Sequence, residues 1–97
     1  MVCLGAWMAA PAYAADSGAN TYKAKCEMCH AANGSGNTPA GKVFKAASLK
    51  DPMVTTKSNE ELAVVIKNGK NKMPAWKDKL TDDQIQAVIG YIRALPD

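Results

Sequence analysis

Cys26-Glu27-Met28-Cys29-His30 reads C-x-x-C-H, the sequence signature of a covalently attached c-type haem. The spacing has a physical reason. Two thiols three positions apart reach the two vinyl groups along one side of a porphyrin. A histidine directly after the second thiol then places its imidazole under the iron, which is commonly held on its proximal side by such a residue. His30 is the one histidine of the chain, so no second imidazole competes for the position. Two other chemistries use C-x-x-C. A redox dithiol of the thioredoxin kind expects a βαβ setting, and no strand-like alternation surrounds the motif. A structural zinc site takes four Cys or His ligands, whereas Cys26, Cys29 and His30 supply fewer once Cys3 is set aside with the leader.

The leader is Met1–Ala14. Val2 to Ala10 is apolar and uncharged, and Ala12-Tyr13-Ala14 is a small-x-small cleavage signal. Cleavage is expected before Ala15, leaving residues 15–97 as the mature domain. The basic segment that normally opens a secretory signal is missing, so the first residue is read as lying inside a longer leader. The apolar run is too short to span a bilayer, so no stable membrane insertion is expected; a retained N-terminal anchor is the alternative. Cys3 lacks a lipoprotein-like context and is expected to leave with the leader. Export agrees with the motif, and the expected location is a periplasm, with a thylakoid lumen as the other compartment.

With 97 residues the chain makes one domain. A domain this small has a thin core and is often stapled by a metal, a disulfide or a cofactor; a haem would give it a large flat apolar surface to pack on. The net charge of +3 is modest, and two haem propionates would remove much of it. With no basic block present, nucleic-acid binding is not indicated.

From the motif the chain reads outward as helices. Asp16 and Ser17 are N-cap candidates for a first helix from about Gly18 to Cys29, in which Gly18, Tyr22 and Cys26 share one face. Gly18 is costly there; a close approach by another backbone or simple fraying would each explain it. Ala31–Ala40, rich in Gly, Asn, Ser and Pro, reads as a loop. Gly41 to Lys50 is expected to hold a short helix with Val43, Phe44 and Ala47 facing inward, broken at Asp51-Pro52. Ser58-Asn59-Glu60-Glu61 is a capping box for a helix over Asn59–Asn68, with Leu62, Val65 and Ile66 inward and Gly69 as its stop. Thr81-Asp82-Asp83-Gln84 is a second capping box, with Leu80 and Ile85 as a hydrophobic staple. It opens a last helix over about Asp82–Leu95 whose stripe is Ile85, Val88, Ile89, Ile92 and Leu95.

Between the last two helices lies Lys70-Asn71-Lys72-Met73-Pro74-Ala75-Trp76, an irregular loop. A methionine thioether is a soft ligand, and His/Met pairing marks electron-transfer cytochromes c. Met73 is therefore the candidate sixth ligand, against the ordinary use of methionine as core filler. Met28 sits between the cysteines and is unable to bend back over the iron; Met53 is the remaining rival. Trp76 is expected to pack near the haem, or else to be an ordinary core or half-exposed tryptophan. Lys67, Lys70, Lys72, Lys77 and Lys79 crowd around Met73. They form either a basic rim that steers an acidic partner or a merely solvated face.

Taken together, these residues resemble the short class I cytochromes c of bacteria and photosynthetic lumens, over essentially all of residues 15–97. The resemblance rests on C-x-x-C-H together with Met73-Pro74. Gly18 and Tyr22 support it at the positions of a family glycine and aromatic that pack on the last helix, where Val88 and Tyr91 look like their partners. Pro39 matches the family proline whose carbonyl accepts from the ligand histidine. The resemblance implies an all-α fold, about four helices packed around one covalently attached haem c. With His30 and Met73 both on the iron no substrate site stays open, which implies a soluble, monomeric one-electron carrier, not an enzyme. Such a carrier would serve redox protein partners at a relatively oxidising potential. The alternative of another class is a haem c enzyme or gas-binding sensor with a labile sixth ligand.

Overall fold

The computed structural model describes residues 18–96; the leader, its cleavage site and the cap candidates Asp16 and Ser17 lie outside the described residues. The first helical run, α1, covers residues 18–30: an α-helical start, a π-wound segment Tyr22–Cys26, and a last α-turn Glu27–His30. The Glu27 amide donates to the Tyr22 carbonyl five residues back, the bond that defines a π-turn. Then come α2 (Pro39–Phe44), α3 (Pro52–Thr55), α4 (Asn59–Asn68) and α5 (Asp82–Arg93). Among the described residues there is no strand.

The two long helices begin as their sequences dictate. Ser58 Oγ accepts from the Glu61 amide at 3.1 Å and Glu61 returns a carboxylate oxygen to the Ser58 amide at 2.8 Å. Thr81 and Gln84 repeat the exchange at 3.1 and 2.8 Å. Each box satisfies two amides that a helix start leaves without partners. Gly69 ends α4 at φ +77°.

The region after the motif differs from expectation. The helix begins at Pro39 and ends at Phe44, so Gly41–Lys50 is not its span. Thr38 Oγ1 caps it by accepting from the Gly41 amide at 2.8 Å, and Pro39 occupies the first helical position, where a missing N–H costs nothing. Val43 and Phe44 point outward, 69% and 48% exposed, and Ala47 is exposed too. The inward position of α2 belongs to Gly41. Its bare Cα lets the helix backbone come against the Cys29 carbonyl, where a Cβ would collide. Asp51-Pro52 starts α3 instead of only ending a helix, because Asp51 Oδ1 accepts from the Met53 amide at 2.9 Å.

The core joins α1, α4 and α5: Tyr22, Leu62, Ala63, Ile66, Leu80, Ile85, Val88, Ile89 and Leu95. Burying Ile85, Val88 and Ile89 contributes about 1.5–3 kcal/mol each. Val65, expected inward, is half-buried. Where α1 crosses α5, Gly18 lies against the Ala87 backbone, which leaves no room for a Cβ; close approach, not fraying, explains the glycine. Its neighbour is Ala87 rather than Val88, which turns fully into the core. One turn on, the rings of Tyr22 and Tyr91 pack with centroids 5.2 Å apart. Arg93 closes the far end, donating from Nε to Asn59 Oδ1 at 2.9 Å and from a terminal guanidinium nitrogen to the Lys57 carbonyl at 2.7 Å.

Candidate haem site

The motif sits at the end of α1, where the helix packs on the core. Cys26 closes the π-segment and packs against the core cluster; Cys29 and His30 occupy the final turn. Both thiols are free. Burial, and then the neighbouring Cys29, push the Cys26 thiol up to about 11. A nucleophilic dithiol of the thioredoxin kind needs the opposite shift. Among the described residues no group of three or more His, Cys, Asp or Glu is gathered so that it could hold a metal ion.

The chain turns sharply just past the histidine. Ala31 adopts φ +71°, a conformation L-residues rarely take. Its amide donates to the Glu27 carbonyl at 2.9 Å and its carbonyl accepts the Tyr22 hydroxyl at 2.6 Å. His30 Nδ1 lies 3.0 Å from the Ala47 carbonyl oxygen. A carbonyl only accepts, so Nδ1 carries the proton. Nε2 then keeps its lone pair, the arrangement a metal-binding imidazole needs.

The partner of His30 is thus Ala47, and Pro39 does not fill that role. As the first residue of α2, Pro39 directs its carbonyl along the helix toward the residue four positions on. The Ala46–Ser48 segment, which follows α2, comes back under the ring instead. Sequence reasoning had no side-chain signal for a backbone carbonyl. It also missed Thr38, whose hydroxyl donates to the Met28 carbonyl at 2.6 Å with Cys29 O at 3.2 Å. Thr38 therefore ties the loop to the motif while capping α2. The Thr-Pro pair was its signal, since Thr followed by Pro is a cap followed by a first helical residue.

Met73 is half-buried and packs on the same core as Cys26. Its loop is tied down on both sides. Met73 and Lys70 exchange backbone hydrogen bonds at 2.9 and 3.2 Å, and the Trp76 amide donates to the Ile66 carbonyl at 3.0 Å. Trp76 is half-buried against the core, and Lys25, the residue before Cys26, holds its ammonium 5.8 Å from the Trp76 ring centroid. The attachment end of α1 and the Met73 loop are therefore neighbours. Met53 lies apart on α3, 67% exposed, and Met28 is 75% exposed. Of the lysines near Met73, Lys67 pairs with Asp82 at 2.9 Å, while Lys70, Lys72, Lys77 and Lys79 are exposed.

The donor set fits a covalent haem: two unpaired thiols at the attachment spacing, and an adjacent imidazole with a free Nε2. A half-buried thioether, Met73, stands on a neighbouring loop. Comparison with known proteins agrees. The family described as cytochrome c oxidase, cbb3-type, subunit III matches residues 13–92. Cytochrome c6 of a Synechococcus species is 36% identical over 95 residues, covering 95% of this chain and 81% of the relative. Cytochrome c6 of a Nostoc species is 39% identical over 89 residues, covering 90% and 78%. The solved structure of the c-type cytochrome KustC0563 superposes with a TM-score of 0.73 at 26% identity, covering 82% of this chain and 98% of that one.

The chain belongs to the class I c-type cytochromes. Within that class its relatives are cytochromes c6, and it is an electron carrier with one covalently bound haem c. No helix of the described residues is long and apolar enough to cross a membrane.

Proposed function

We propose that the chain is a diffusible, monomeric one-electron carrier of a periplasm or lumen. Cys26 and Cys29 would hold the haem as thioethers, and His30 and Met73 would be the protein ligands to its iron. The observation that carries this reading is the hydrogen bond from His30 Nδ1 to Ala47, which leaves Nε2 free beside two unpaired thiols. When bound, the haem supplies the Fe(III)/Fe(II) couple. Everything else falls to the polypeptide. The Ala47 carbonyl fixes the tautomer and orientation of His30 and raises its basicity. The paired backbone bonds of the 70–76 loop hold the Met73 thioether in one place, so that little rearranges when an electron passes. A thioether favours the reduced state, and Trp76 and the core keep water away. A filled coordination shell makes this a carrier rather than an enzyme.

The four exposed lysines around Met73, with Asp82 neutralising only Lys67, support docking to an acidic redox partner by long-range attraction, an effect that raises association rates and weakens with salt.

The ligand pair is tested by the absorption spectrum of the oxidised protein. A weak far-red band reports Met–Fe(III) coordination and is expected in the wild type but not in Met73→Leu. A wild type without it would favour the haem enzyme or gas sensor.

A further inference from the structure

The bond from His30 to Ala47 depends on a residue that never touches the ring. Gly36 is buried and has φ +77°. Its amide donates to the His30 carbonyl at 2.8 Å. On its other side it lies against the segment that supplies Ala47. A Cβ at position 36 would stand 2.7 Å from the Ala46 carbonyl oxygen and 3.5 Å from that of Ala47. The first distance is one that real Cβ atoms essentially never show, and the obstacle is backbone, which has no rotamer to escape into. Two residues earlier, the Gly34 carbonyl accepts the Leu49 amide at 2.7 Å, fastening the far side of the same segment. The 34–36 loop is therefore bonded at once to the end of α1 and to the 46–49 segment.

We infer that Gly36 is a positioning residue for the histidine ligand: its missing side chain lets the Ala46–Ala47 peptide close on α1 so that the Ala47 carbonyl reaches His30 Nδ1. Any side chain at 36 pushes that peptide outward and lengthens the bond. The imidazole then loses the acceptor that makes it more basic, and the ferric state loses support. The inference rests on His30 being an axial ligand.

Gly34 supplies the control. It also has a left-handed φ, +80°, so Gly34→Ala carries the same backbone strain. A Cβ there meets the side chains of Leu95 and Leu49 at 3.2 and 3.3 Å, not the carbonyls beside His30. The test compares wild type, Gly34→Ala and Gly36→Ala as haem-bearing proteins. It measures hydrogen exchange of the His30 Nδ1 proton by NMR in the reduced form, and the midpoint potential. Gly36→Ala is expected to speed that exchange at least ~10-fold and to raise the potential, while Gly34→Ala, whose Cβ meets side chains and not the Ala46 and Ala47 carbonyls, changes both much less despite a similar loss of stability. Gly36→Asn and Gly34→Asn repeat the comparison with a residue that tolerates positive φ. Thioether attachment keeps the haem on the chain even in a destabilised variant, so each can be measured. Equal exchange rates and potentials in the Gly34 and Gly36 variants would overturn the inference alone. A wild-type His30 ring without the shifts of an iron-bound imidazole would overturn the ligand assignment and the inference with it.

Discussion

Tyr22→Phe is the sharpest test of how α1 holds the motif. Tyr22 is completely buried, its hydroxyl donates to the Ala31 carbonyl at 2.6 Å, and its ring packs on Tyr91. Burial first, then the nearby Cys26, Glu27 and Tyr91, raise the phenol pKa far above its ordinary value, so the group is a permanent donor. Phenylalanine keeps the ring and the aromatic contact. It removes only the O–H, so the Ala31 carbonyl loses one of two donors and keeps the Gly34 amide at 3.1 Å. One such hydrogen bond is worth about 0.5–1.5 kcal/mol net. In a domain of this size each kcal/mol lowers Tm by roughly 4–8 °C, so a drop of at least about 2 °C is expected. The assay is guanidinium and thermal unfolding of the haem-bearing protein, with an unchanged m-value showing that the unfolded state is not altered. Tyr91→Phe, on the half-exposed partner ring, should cost less than about 0.5 kcal/mol. If Tyr22→Phe is equally silent, the hydroxyl does not hold the turn after His30.

Gly18→Ala drives a methyl group into the Ala87 backbone; overpacking of this kind costs about 1–3 kcal/mol, read by denaturant titration, while the same change at open Gly90 should be harmless or slightly stabilising. Hydrogen bonds from the Ser58 backbone and side chain lower the pKa of Glu61. A depressed carboxyl pKa contributes stability that is present above the unfolded value of about 4.3 and is lost as pH falls through the folded one. Glu61→Gln, which still offers the Ser58 amide an acceptor but no longer titrates, should therefore flatten the acid limb of the pH–stability curve and leave the neutral-to-alkaline limb parallel to wild type. Replacing Lys72 and Lys77 by Glu should slow electron transfer with an acidic partner and weaken its dependence on ionic strength, read by stopped-flow rates across a salt series.

The elements whose signals are local were legible in the sequence. Both capping boxes lie within four consecutive residues, and the structure reproduces their hydrogen bonds. The last helix stops at Arg93, slightly before the expected Leu95, while Leu95 still reaches the core. The segment between His30 and Ser58 was harder to read because its structure is set by backbone meeting backbone. Gly41 against Cys29, Gly36 against Ala46, and Ala47 under His30 involve carbonyls and absent side chains, which leave little trace in hydropathy. Val43 and Phe44 misled for the same reason: apolar character placed them inward, whereas the close approach of Gly41 fixes which face of α2 is turned in. Pro39 matched a spacing, but the residue that answers His30 comes from farther along the chain.

In the proposed carrier Met73 closes the iron opposite His30, and carbon monoxide titration of the reduced protein shows whether it does. Wild type and Met53→Leu should resist the ligand, while Met73→Leu should take it up and show a lower midpoint potential. Ready binding by the wild type, or an open iron in Met53→Leu with Met73→Leu unchanged, would contradict it.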